Sequence, residues 1–259
     1  MADPKRNPGD SPAAFTGKRV LITGAGRDFG RSLALLFAME GAELVISGRD
    51  RAALDAVAAE ITQRGGTAHV HVCDLADPRS VADFAAEVTR YAGWLDILVL
   101  NAARWLEEEP GVPMTDADIV ETIASGLTGS ILLTHHLLPT LRAHGSADIL
   151  AMVSVCGEPG YQRSSAHPAF YAAKHGLAGF CDILGARHAA EGLRVTGLFP
   201  PDFENVDPLS PAWDAPRPRG AILGAPAVWN AVRFALTQPR DGGVRRIHFD
   251  GLTRVEAGL

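Results

Sequence analysis

The chain has few cysteines, no surplus of basic charge, no apolar run of membrane length and no internal repeat, and each absence removes a class of protein. Its three cysteines, Cys73, Cys156 and Cys181, are an odd set without the spacing of metal ligands. Neither a disulfide framework nor a metal centre is expected, and the three read as small buried side chains. With 24 Lys and Arg against 30 Asp and Glu, the formal net charge of -6 offers no basic face for nucleic acid or an anionic membrane. A small-molecule partner is expected instead. No segment approaches the roughly 20 apolar residues that span a bilayer. Residues 1 to 16 lack the apolar core of a signal peptide, so a cytoplasmic protein is expected. No self-similarity at a solenoid period is present.

What the chain does contain is enough apolar material, 47% of 259 residues against 21% charged, for one α/β domain with a full core. Its organising stretch is Lys18 to Gly30 (KRVLITGAGRDFG). An apolar strand over 18–23 runs into a glycine turn and then into a helix that carries Leu33, Leu35, Leu36 and Phe37 toward a sheet. This arrangement aims free backbone N–H groups and the positive end of a helix at a phosphate, which points to a dinucleotide site. Gly24, Gly26 and Gly30 stand at looser intervals than the general G-x-G-x-x-G pattern. On this stretch alone a tight turn without a ligand remains the alternative.

Strand and helix then alternate. Strands are predicted over 43–47, 67–73, 95–100, 147–153, 193–199 and 244–249, and helices over 51–64, 78–91, 115–144, 168–190 and 225–236. Asp50 and Asp77 are placed to cap the helices that follow them, the second with Pro78 at its first position. Such alternation implies right-handed crossovers and a Rossmann-type, doubly wound parallel sheet of seven strands with helices on both faces. Residues 1–16, rich in Pro, Asp and Gly, read as a disordered tail, and 17–259 as one domain. The proline-rich stretch 203–224 lacks periodicity and is expected to form a lid. The 115–144 helix is apolar nearly all round its middle, more than one sheet face needs, which predicts a homodimer or homotetramer.

Eight motifs, in order, resemble those of the short-chain dehydrogenase/reductase family: Thr23 to Gly30, Cys73-Asp74-Leu75, Leu100-Asn101-Ala102-Ala103, Leu127-Thr128-Gly129, Ser154 to Gly157, Ala172 to Gly176, Pro200-Pro201 and His248 to Gly251. The resemblance runs from about residue 18 to 252. It implies a nicotinamide dinucleotide held by Gly24, Arg27, Phe29, Gly30, Arg49, Asp74, Leu75, Asn101 and Lys174. Asp74 and Leu75 would hold the adenine ring. An acidic residue ending the second strand would favour a free ribose 2′-hydroxyl, but this chain has Ser47-Gly48-Arg49 there. Arg27 sits where phosphate-preferring members often carry a base. Two guanidiniums near one ribose favour NADP(H) over NAD(H). The rival reading pairs Arg49 with Asp50 or Glu43.

The resemblance also implies a ketone or secondary alcohol as substrate, with a serine, a tyrosine, a lysine and an asparagine sharing the proton chemistry. Ser154 and Lys174 match the serine and the lysine. Phe170 stands at the tyrosine position and Gly126 at the asparagine, while Asp28 replaces the middle glycine of the turn. Tyr171, one residue late, is the candidate acid if the helix start is shifted, and His167 is its reserve. The catalytic set is then Ser154, Tyr171 and Lys174, and no metal is expected. Two further readings are a catalytically silent dinucleotide-binding homologue and an isomerase or lyase that keeps its dinucleotide bound.

Overall fold

A computed structural model describes residues 13–107 and 114–250. The sheet is laid down as β1 (Arg19–Thr23), β2 (Glu43–Gly48), β3 (Thr67–Val72), β4 (Ile97–Leu100), β5 (Ala147–Met152), β6 (Leu193–Phe199) and, last in the chain, β9 (Arg246–His248). All seven strands are parallel, in the order β3-β2-β1-β4-β5-β6-β9. The order reverses between β1 and β4, where ligands of open parallel sheets bind.

Helices α1 (Asp28–Met39), α2 (Arg51–Gln63) and α7 (Ala225–Leu236) cover one face around Phe37, Leu44 and Trp229. Helices α3 (Pro78–Ala92), α5 (Gly129–Arg142) and α6 (Pro168–His188) cover the other around Phe84, Leu133, Leu177 and Phe199. β1, β4 and β5 are buried along nearly their whole length because both of their faces are covered. Asp50 caps α2 by accepting from the N–H of Ala53, and Asp77 caps α3 by accepting from that of Arg79.

Several expectations need correction. The predicted tail is too long: residues 1–12 lie outside the described residues, but Phe15 is 2% exposed and its ring meets Phe37 at 4.8 Å and Trp229 at 6.1 Å. A large apolar ring gains more from that core pocket than the ordering of its short segment costs. The 115–144 helix is two helices, α4 (Asp116–Ile123) and α5, joined by a π-helical turn over Ala124–Thr128. Immediately after the turn the backbone passes so close to Leu75 that a Cβ on Gly129 would lie 2.1 Å from the Leu75 carbonyl oxygen. The 203–224 stretch is partly regular, since β7 (Phe203–Glu204) pairs with β8 (Leu223–Gly224) at its two ends. It is fastened to α1 by Phe203 against Phe29 at 4.9 Å, Ser32 Oγ donating to Asn205 Oδ1 at 3.1 Å, and Arg31 with Asp207 at 3.1 Å.

Candidate active site

The carboxyl ends of β1 to β4 open into a cleft of about 840 Å³. The glycine turn forms its floor. A Cβ on Gly30 would lie 2.0 Å from the carbonyl oxygen of Gly24, so helix and turn approach at a distance that only glycine permits. Asn101 ties β4 to this turn: its backbone N–H donates to Thr23 Oγ1 and its Nδ2 to the Thr23 carbonyl, each at 3.0 Å. Phe29, also on the lining, is 6% exposed and packs edge-on against Phe203. Asp74 and Leu75 lie on the lining after β3, with Asp74 Oδ1 accepting from the N–H of Ala76 at 2.9 Å.

Asp28 has φ 48, in the left-handed region that favours glycine. Asp tolerates that region better than most residues. Its carboxylate does not cap α1, although Asp28 lies on the cleft lining. It faces solvent, 82% exposed, 3.5 Å from the guanidinium of Arg27. No side chain caps α1, so its first N–H groups are left for a ligand.

Arg49 pairs with neither Asp50 nor Glu43. Its Nη1 donates to Glu121 Oε1 at 2.6 Å, while the other Glu121 oxygen accepts from Arg104. Arg104 in turn donates to Asp118 at 2.5 Å. Arg104 and Glu121 line the cleft and were not anticipated from the sequence, because their pairing joins a loop after β4 to α4 and leaves no local pattern.

At the end of β5, Ser154 has φ 76 and ψ 156, a conformation that costs a non-glycine residue about 1–3 kcal/mol. Its Oγ accepts from the N–H of Cys156 at 3.3 Å, which leaves the hydroxyl proton available. Lys174, 4% exposed, donates from Nζ to the Met152 carbonyl at 2.7 Å. Burial pushes its pKa down to about 8.

α6 begins at Pro168 with His167 Nδ1 capping it through the N–H of Ala169, and the ring centroid of Phe170 lies 5.3 Å from Lys174 Nζ. Tyr171 is turned toward the preceding segment, where its hydroxyl accepts from the N–H of Ser164 at 3.2 Å. The roughly 100° between neighbouring helical residues separates the two rings. Trp105 packs on Phe170 at 4.9 Å, and the loop that carries it is clipped to the segment ahead of α6 by the His167 N–H on the Leu106 carbonyl at 2.8 Å. Residues 108–113, which follow that loop, lie outside the described residues. Gly126 sits in the π-helical turn beside Ala173 and Ala103. Among the described residues, no cluster of three His, Cys, Asp or Glu side chains is arranged to hold a metal, and no helix is long and apolar enough to cross a membrane.

Residues 18–210 match the short chain dehydrogenase family, and the chain belongs to it. It is 31% identical over 197 residues to the dehydrogenase/reductase SDR family protein 7-like of Anopheles gambiae, covering 74% of this chain and 61% of that protein. It is 29% identical over 201 residues to D-threitol dehydrogenase of Mycolicibacterium smegmatis, covering 78% and 75%. The chain spans about three fifths of the length of curated relatives such as the Anopheles protein. A metagenomic short-chain oxidoreductase solved in complex with NADP superposes with a TM-score of 0.75 at 26% identity over 91% of this chain and 97% of that one. The Gly24–Gly30 approach and the uncapped start of α1 fit the pyrophosphate of a nicotinamide dinucleotide.

Proposed function

We propose that the protein is an NADP(H)-dependent oxidoreductase that interconverts a ketone and a secondary alcohol on a small organic substrate. The observation that carries this reading is a dinucleotide cleft whose β2 ends in glycine rather than a carboxylate and whose lining includes Arg27 and Arg49. Bound NADPH would supply the hydride. The backbone of Gly24 to Gly30 would hold its pyrophosphate, Asp74 and Leu75 its adenine, and Asn101 and Lys174 the nicotinamide side.

Ser154, whose hydroxyl proton is not taken by Cys156, donates to the substrate oxygen. Lys174 then gives that oxygen a proton from Nζ, since a pKa near 8 suits a general acid at neutral pH. Tyr171 is the competing donor. Its side chain packs against the small cluster of Cys156, Ala166 and Phe170, but its hydroxyl must first leave Ser164. The β7–β8 segment closes over the substrate as a lid hinged on α1. The half-buried Leu132, Leu138, Phe180 and Leu184 and the exposed Ile183 give α5 and α6 an apolar surface for pairing with a second copy. Light scattering checks that assembly.

A second reading, dinucleotide binding without turnover, is favoured by the Trp105–Phe170 packing over a lysine that has no hydroxyl partner. Incubation with NADPH and a panel of ketones decides between the two. Loss of nicotinamide absorbance with alcohol formed supports the oxidoreductase. Tight NADPH binding without product supports the second reading.

A further inference from the structure

An ion-pair strut crosses the mouth of the cleft, and the reading above gives it no task. Arg49 follows β2 and Arg104 precedes α4 on the chain after β4, so the two guanidiniums stand on either side of β1 in the strand order. Glu121 grips one with each carboxylate oxygen and so spans the end of β1.

The two ends of the strut differ. Asp118, which also holds Arg104, is fixed in a capping box with Thr115 at the start of α4, its carboxyl held below the usual range by that hydroxyl and backbone. Arg104 therefore has two carboxylates and is 30% exposed. Arg49 has one carboxylate and is 58% exposed. The Arg49 end is the one that can let go.

We propose that Glu121 is a specificity-determining residue, a resident counter-ion that occupies Arg49 and must be displaced by a ligand 2′-phosphate. The inference rests on the dinucleotide reading above. A phosphate dianion outcompetes one carboxylate for a guanidinium, whereas a ribose hydroxyl does not. Glu121 thus lowers affinity for 2′-phosphorylated ligands while leaving the unphosphorylated ones nearly untouched, and its negative charge re-forms the strut when the ligand leaves.

Isothermal titration calorimetry with 2′,5′-ADP, 5′-AMP, NADPH and NADH on the wild type and Glu121→Gln tests this. The substitution keeps size and shape, so Arg104 loses one charge partner but keeps Asp118. Glu121→Gln should tighten 2′,5′-ADP and NADPH by about tenfold and change 5′-AMP and NADH by less than about twofold, with the gain shrinking in high salt. In an Arg49→Ala background the same substitution should have no effect on 2′,5′-ADP, because the pair that couples them is gone. Unchanged or weaker 2′,5′-ADP binding in Glu121→Gln, in a protein that binds NADPH, overturns the assignment. So does equal tightening of phosphorylated and unphosphorylated ligands. A wild type that binds neither NADPH nor NADH removes the dinucleotide reading itself, and this inference with it.

Discussion

The two halves of the sheet's carboxyl edge treat their side chains differently. Along β1 to β4 the backbone and the groups that line it are of one piece: Gly30 against Gly24, Asn101 on Thr23, and arginines at the ends of turn and strand. Around β5 and α6, strain and burial set the side chains instead. Ser154 stands in its strained conformation, Lys174 is buried at the end of β5, and a π-helical turn interrupts the helix beside them. Phe170 and Gly126, neither of which carries a proton to give, lie beside Lys174 and Ala173.

Removing the Lys174 ammonium should change the second half most. Lys174→Met should lower turnover by about a thousandfold or more. It should also raise the melting temperature by a few degrees. A buried lysine whose pKa falls to about 8 carries a folding cost on the order of 3 kcal/mol at neutral pH. That cost is fully present below pH 8, where folded and unfolded chains both hold the proton, and is relieved as pH rises toward 10.5. Calorimetry and steady-state rates on the same preparation check both parts.

Adding a hydroxyl beside Lys174 should act in the opposite direction. Phe170→Tyr should raise kcat for ketone reduction by about a hundredfold, and adding Gly126→Asn should raise it further. The nearest atoms to a Cβ at Gly126 are the methyls of Ala173 at 3.5 Å and Ala103 at 3.7 Å, ordinary contact distances. In the wild type, reduction should fall about tenfold per pH unit above about 8 as Lys174 loses its proton. A flat profile to pH 10 would assign the proton to another group.

Two smaller effects belong to the margins of each half. Asp28→Gly relieves the left-handed strain at φ 48 and removes a carboxylate near the pyrophosphate position, so NADPH should bind about threefold more tightly by fluorescence titration. Tyr171→Phe should change turnover by less than about threefold and cost about 1 kcal/mol of stability, the worth of its bond to Ser164. A loss of two orders of magnitude in turnover would instead make Tyr171 the acid.

The seven parallel strands, their helices and the glycine turn were legible because each rests on local pattern: apolar runs, capping by Asp50 and Asp77, and glycines where backbones meet. Asp28, Gly126 and Phe170 stand out only against the motifs that the sequence resembles. What was not legible depends on contacts between distant segments. Glu121 takes Arg49 from 72 residues away, and no charge pattern near either residue announces it. Phe15 belongs to the core because Phe37 and Trp229 leave a space that its neighbours Pro12 to Thr16 do not encode. Tyr171 is placed by its bond to Ser164, in the segment ahead of α6.

What the cleft holds is measured directly by titrating the wild-type protein with NADPH and with NADH under identical salt. Arg27 and Arg49 beside a β2 that ends without a carboxylate predict that NADPH binds tighter by about tenfold or more. Equal binding of the two, or tighter binding of NADH, would contradict it.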